Sequence, residues 1–175
     1  DLYLYDLDAA PGRAVRRLTA TEAYETDPKF SPRGRYVSFV RGQNLWVLEL
    51  ATGRETAITQ GGGGTLSYGT AEFVAQEEMD RSTGYWWAPD ESRIAFTRVD
   101  ESPVDELERF EIMADSVRVI RQRYPAAGRP NARVQLWIAT LPGAAPGASP
   151  PQAAAGAPAD GYLARVGWFP ESDAL

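Results

Sequence analysis

The segment FSPRGRYVSFVRGQNLWVLELATGRETAIT, Phe30 to Thr59, recurs in altered form along the chain, and that repetition limits the possible folds more than any other feature. Arg35–Val40 is rich in β-formers, and Gly42-Gln43-Asn44 turns the chain. Leu45–Leu50 alternates, Ala51-Thr52-Gly53-Arg54 turns it again, and Glu55–Thr59 reads as a short third strand. The same order returns in WWAPDESRIAFTRVDE, Trp86 to Glu101: aromatic residues, a proline turn at Asp90-Glu91, then a strand over Arg93–Val99. Its partner VQLWIATL, Val134 to Leu141, matches NLWVLEL but is delayed by a long insertion. A third copy opens at VGWFPESDAL, Val166 to Leu175, and LYLYDLD and RRLT read as the last strands of an earlier unit.

Short meanders repeated with one type of turn are the pattern of propeller blades, each of which buries its faces against its neighbours. A generic meander or sandwich is the competing reading, and the threefold recurrence of the turn favours blades. The expected fold is mainly β, a partial β-propeller of four-stranded antiparallel blades with a short helical insertion. Residues 1–175 would be a fragment of one such domain, with about two blades plus parts of two flanking ones. So few blades cannot close a ring, and the chain alone is expected to self-associate or to be marginally stable.

Composition excludes several functions. There are 24 acidic against 18 basic residues, a net charge of −6. That balance argues against a nucleic-acid partner, which needs a basic face to neutralise phosphates. The chain has no histidine and no cysteine. It therefore cannot itself hold a Ser-His-Asp triad, a cysteine nucleophile or a zinc site of the usual ligands. No cofactor or metal is expected. The acidic run Asp100, Glu101, Asp105, Glu106 and Glu108 has no calcium-loop pattern and reads as surface. No stretch of about 18 apolar residues is present to span a membrane, and the opening DLYLYDLD alternates like a strand rather than like a signal peptide.

Two segments break the blade pattern: the run Gly61–Gly64, and an Ala/Pro/Gly-rich stretch over 142–161 expected to be a flexible loop. A third, residues 65–85, carries the candidate chemistry. AEFVAQEEMDR, 71–81, lacks Gly and Pro and predicts a helix of about three turns. Thr70 is expected to cap it, Glu72 to sit in its first turn, Arg81 in its last, and Gly84 to stop it. On a strand, Glu77 and Glu78 would point to opposite faces. On a helix they lie about 100° apart and can converge on one small cation. A solvated helix face also carries such pairs, and the residues alone leave both readings open.

EFVAQEEMDRSTGYWWAPDESRIAFTRVDE, Glu72 to Glu101, closely resembles the N-terminal propeller domain of the dipeptidyl peptidase IV family of serine peptidases. There a Glu-Glu pair on a short helical insertion precedes a Trp-Trp-x-Pro turn. RYPAAGRPNARVQLWIATL, Arg123 to Leu141, is similar to the family's Tyr-Pro-x-Ala-Gly-x-x-Asn segment, through Tyr124, Pro125, Ala127, Gly128, Asn131 and Val134. Gln76 stands where some relatives have another acid. The resemblance implies that Glu77 and Glu78 bind the free N-terminal ammonium of a peptide substrate. A separate α/β-hydrolase domain of the same chain, holding the Ser-Asp-His triad, would then release Xaa-Pro or Xaa-Ala dipeptides. No catalytic residue is expected within 1–175, and the arginine that completes the family's anchor would lie upstream. Trp86 is expected beside the insertion and Trp87 in the blade core. The resemblance also leaves room for a homodimer and favours a periplasmic or secreted enzyme, and the Ala- and Pro-rich composition points to a bacterial source. Two alternatives remain: a non-catalytic propeller scaffold, or the size-filtering propeller of a related oligo- or acyl-peptidase.

Overall fold

β-branched and aromatic residues at period two, punctuated by Gly and Pro turns, build a chain of antiparallel sheets. The computed structural model describes residues 1–10, 12–141, 150–154 and 161–170. β1 (Tyr3–Tyr5) and β2 (Val15–Arg17) form a hairpin. β3 (Glu25–Phe30), β4 (Tyr36–Arg41), β5 (Asn44–Glu49) and β6 (Glu55–Ala57) form a four-stranded sheet in chain order. Gly42 and Gln43 join β4 to β5 with φ of 56° and 59°. Two left-handed residues match the twist of the flanking strands in a two-residue hairpin.

The next sheet is assembled from strands farther apart in sequence. β9 (Arg93–Asp100) pairs on one side with β12 (Arg133–Thr140), which carries β13 (Gln152–Ala153) at its far edge. On its other side β9 meets two short strands, β7 (Leu66–Tyr68) and β8 (Tyr85–Trp87). Between β9 and β12 the chain makes a separate hairpin, β10 (Glu106–Ile112) with β11 (Val117–Arg123). The architecture is the expected mainly β, antiparallel partial propeller, with one short helix among the described residues, α1 (Phe73–Glu78). β4, β5, β6, β9 and β12 fall where the sequence pattern put strands. Of segment 142–161, residues 142–149 and 155–160 lie outside the described residues, as do 171–175 of the third repeat.

The four-stranded sheet is buried on both faces, as stacked blades require. One face of β4 and β5, with Val40, Leu45 and Val47, packs against Tyr85, Ile94, Phe96, Ala139 and Leu141 of the next sheet. The other, with Val37, Phe39 and Leu48, packs towards Leu2 and Leu18 beside the β1–β2 hairpin. Trp87 joins the first cluster: its ring stacks on Tyr36 at 5.8 Å and its Nε1 donates to Ser38 Oγ at 2.8 Å. An aromatic ring that also satisfies its polar atom is well suited to such a seam.

The repeated turn locks the two sheets together. In the first copy Gly34 N donates to Ser31 O at 2.9 Å; in the second Glu91 N donates to Ala88 O at the same distance. Gly34 and Glu91 both have positive φ, 69° and 64°, which only Gly adopts freely. Glu91 offsets that conformation through its side chain, which is buried. Its carboxylate accepts from Ser31 Oγ at 2.5 Å, from Arg33 N at 2.6 Å and from the Arg35 guanidinium. Burial alone would raise its pKa, but the bonds from Ser31 and Arg35 hold the carboxyl below its ordinary value.

Candidate functional site: an acidic helix looped out of a sheet edge

β7 and β8 run along one edge of β9 as a single interrupted strand. Tyr68 is opposite Arg98 and Tyr85 opposite Phe96, so residues 69–84 are all looped out opposite Thr97. That residue, fully buried, closes the base. Thr97 O accepts from Gly69 N at 2.9 Å, and Thr97 N donates to Gly84 O at 2.8 Å. Its hydroxyl donates to Thr70 O at 2.6 Å. Thr70 and Thr83 then bridge across the neck. Gly84 is required there, because a Cβ would stand 2.3 Å from the Thr70 backbone.

This neck corrects the predicted helix ends. The helix covers Phe73–Glu78, not 71–81. Thr70 does not cap it, since its hydroxyl pairs with Ser67 Oγ at 2.7 Å while its backbone bridges the neck. Glu72 is the residue before the helix rather than in its first turn, and its backbone is extended, with ψ of 170°. At the other end Met79 is the last partly helical residue and Asp80 has φ of 50°, so Gly84 plays no part in stopping the helix. Arg81 is not in the last turn; it lies beyond the helix and folds back into the protein.

Arg81 is 4% exposed. Its Nη2 donates to Glu72 Oε2 at 2.9 Å, Nη1 to Thr83 O at 2.8 Å and Nε to Leu163 O at 3.0 Å. It thus ties the residue before the helix to the neck and to a strap, 161–170. The strap reaches the helix again where Arg165 Nη1 donates to Met79 O at 2.7 Å, a carbonyl at the helix C-terminus, where cations are favoured. Elsewhere Phe73 packs edge-on against Tyr124, centroids 5.1 Å apart, so the Tyr-Pro segment also buttresses the helix. A cavity of about 250 Å³ lies beside it, lined in part by Glu72, Val74, Asn131 and Tyr162.

The neck is held from the adjacent sheet as well. Thr83 Oγ1 donates to Asp27 Oδ2 at 2.6 Å, and Lys29 Nζ, which pairs with Asp27 at 3.1 Å, reaches Thr83 Oγ1. Burial lowers the pKa of the Lys29 ammonium, while Asp27 opposes that shift. Lys29 Nζ also lies 4.0 Å from the centroid of the Tyr85 ring.

Glu77 and Glu78 sit on the last turn of the helix, exposed. Among the described residues neither has a hydrogen-bond or ion-pair partner. The one buried acid of this segment, Glu72, is paired with Arg81. Trp86 lies beside the insertion, its ring 6.0 Å from the Arg81 guanidinium, and its carbonyl accepts from Trp168 Nε1 at 3.0 Å. The two tryptophans and the two glutamates are separate features. The acidic run at 100–108 is largely paired, Asp100 with Arg133, Asp105 with Arg129 and Glu108 with Arg121. Among the described residues no group of three or more acidic side chains is arranged to hold a metal. The supporting residues Arg81, Thr97, Lys29 and Arg165 carry no local sequence signal, because each also bonds to chain far away in sequence: Arg81 to Leu163, Thr97 to Thr70, Lys29 to Thr83 and Arg165 to Met79.

Fold and site together define a partial β-propeller with an acidic helix looped out of one sheet edge. The family model described as "Dipeptidyl peptidase IV (DPP IV) N-terminal region" matches residues 1–175, and the chain belongs to that family. It is 33% identical over 120 residues to "Probable dipeptidyl-aminopeptidase B" of Emericella nidulans, covering 61% of this chain and 13% of that protein. It is 30% identical over 132 residues to dipeptidyl peptidase 8 of Mus musculus, covering 66% of this chain and 15% of that one. The crystal structure of Porphyromonas gingivalis dipeptidyl peptidase 4 superposes with a TM-score of 0.77 at 27% identity, over 89% of this chain and 22% of the other. The chain therefore spans less than a quarter of the length of each of these relatives.

Proposed function

We propose that this chain is the substrate-anchoring part of the N-terminal propeller of a serine dipeptidyl peptidase, with Glu77 and Glu78 as the anchor. The observation that carries this reading is the pair itself: two consecutive carboxylates, exposed and unpartnered among the described residues, at the tip of a segment braced on three sides. A free peptide N-terminus supplies the missing positive charge. Hydrogen bonds to charged groups contribute about 1.5–3 kcal/mol each, so two carboxylates select strongly for an ammonium. Fixing the peptide's end also fixes which carbonyl reaches the nucleophile, so that the anchor acts as a ruler for cutting after the second residue.

On this reading residues 1–175 contribute about two blades and parts of the flanking ones, with 65–85 as the substrate-binding insertion. The triad belongs to a separate α/β-hydrolase domain of the parent chain, which removes Xaa-Pro or Xaa-Ala dipeptides. The chain alone is inactive.

The test is the parent enzyme carrying Glu77→Gln and Glu78→Gln together. Its kcat/KM for a free-amine Xaa-Pro substrate should fall by at least about a hundredfold, as the loss of two charge-assisted contacts requires. Wild-type activity of that variant would sink the anchor. In the wild-type enzyme, affinity should fall as the substrate amine loses its proton, near pH ~8. An N-acetylated substrate, which has no ammonium, should escape both effects. Strong cleavage of it would favour a propeller that only filters substrate size.

A further inference from the structure

The anchor proposed above is only as good as the direction in which its helix points, and the helix itself is too short to fix that direction. Six residues make fewer than two turns. Its N-terminus lacks a side-chain cap, and the chain on either side is irregular: Glu72 extended, Asp80 left-handed. Isolated helices of this length are not stable in water. Something outside the helix must therefore hold it in place.

We infer that Arg81 is the positioning residue of the Glu77–Glu78 pair, its buried guanidinium joining the start of the helix, the neck of the loop and the 161–170 strap into one rigid unit. This inference rests on the anchor reading. Three features single Arg81 out from the other braces. It is the charged residue of the insertion most completely removed from solvent beyond the helix, at 4% exposure. Its three nitrogens reach three separate chain segments, at 2.9 Å (Glu72), 2.8 Å (Thr83) and 3.0 Å (Leu163). The planar fork of a guanidinium sets angles as well as distances, which an ammonium cannot do. Its partner Glu72 immediately precedes the helix, and Arg81 follows it by three residues. Their ion pair thus closes the excursion on itself, with Glu77 and Glu78 in the enclosed arc. The Arg165 bond to Met79 O comes from an exposed side chain and is the weaker brace.

The mechanism predicts a specific kinetic signature. Arg81 does not touch substrate. Loosening it should spread the orientations of the two carboxylates and weaken amine binding, while leaving the reacting bond and its nucleophile untouched. The experiment uses the full parent enzyme and an Xaa-Pro substrate with a free amine. Arg81→Lys preserves volume and charge but cannot serve all three acceptors. It should raise KM about fivefold to tenfold, with kcat within about twofold of wild type. Arg81→Met, which also strands the buried Glu72 carboxylate, should raise KM further. If Arg81→Met lowers the melting temperature so far that the enzyme is unfolded at assay temperature, Arg81→Lys decides the question.

The critical control is a double-mutant cycle with Glu77→Gln and Glu78→Gln. If Arg81 acts through the pair, Arg81→Lys should add no more than about twofold to KM in that background, whereas an independent structural effect would persist in full. Four outcomes are distinct. A raised KM that vanishes in the Gln background supports the inference. An unchanged KM for Arg81→Lys overturns it and leaves the anchor standing, and so does a rise that persists undiminished in the Gln background. Wild-type kinetics for the Gln variant removes the anchor, and the inference falls with it.

Discussion

The two sheets solve the same edge problem on different scales. In the first, β3 carries one extra residue: Asp27 and Pro28 together stand opposite Phe39, between the Thr26–Val40 and Lys29–Ser38 pairs. In the second, sixteen residues, 69–84, stand opposite Thr97. Both interruptions fall between the same two strands of the blade plan. They touch, because Asp27 of the first accepts from Thr83 in the neck of the second. A bulge leaves a residue unpaired and re-aims the chain. Here the bulge in one sheet is what receives the large excursion from the next. The acidic arm is thus hung on the second sheet with β9 paired on both sides of Thr97, while β3 of the first sheet takes a one-residue shift against β4 where it meets the neck.

That contrast can be broken at either end. The largest effect on stability should come from Gly84→Ala, which drives a Cβ to 2.3 Å from the Thr70 backbone and forces the neck apart. A loss of about 3 kcal/mol is expected, read as a lower melting temperature of the parent chain. Gly34→Ala, at the other sheet's turn, meets no atom within 4 Å and has only its φ of 69° to oppose it. It should cost about 1 kcal/mol. Equal effects would mean that the neck is not the tight point.

Next comes Glu91→Ala, which strands Ser31, the Arg33 amide and Arg35; about 2 kcal/mol is expected. The pH dependence follows from the depressed pKa of this carboxyl. Its contribution is complete above the ordinary value of 4.5 and is lost as pH falls through the lower folded value. The melting temperature of wild type should therefore drop more steeply below pH ~4.5 than that of Glu91→Gln. Parallel acid profiles would remove Glu91 from the account of acid stability. Asp27→Asn keeps a residue tolerant of the bulge's left-handed φ and loses the charge facing Lys29. It should cost under about 1 kcal/mol. Arg121→Ala, on the exposed β10–β11 hairpin, should be within about 0.5 kcal/mol of wild type.

What the sequence disclosed and what it hid divide along the range of the interactions. β4, β5 and β6 were legible because hairpin partners lie a few residues apart and their turns carry Gly. β9 and β12 were legible through their repeat. β10 and β11 were not legible, because ELERFEI and VRVIRQR keep no period-two alternation over their length: Leu107 and Phe110 are three residues apart, Val119 and Ile120 are adjacent, and the hairpin is largely exposed. β3, β7 and β8 are short or irregular, and only β4 and β9 give them a ladder to join. The candidate site shows the same division. The Glu-Glu pair and the existence of a helix could be read locally. The helix ends could not, because Thr70, Glu72 and Arg81 each satisfy a distant demand in place of the capping and dipole roles that local rules assign.

Thr97 gives the excursion one further property. Since pairing resumes at the very next residue on either side, at Arg98 with Tyr68 and at Phe96 with Tyr85, the sheet does not register how much chain lies between Gly69 and Gly84. Such a joint makes the acidic arm a module. Its length and chemistry can be rewritten, by natural variation or by an engineer, while the blade beneath keeps the same alignment.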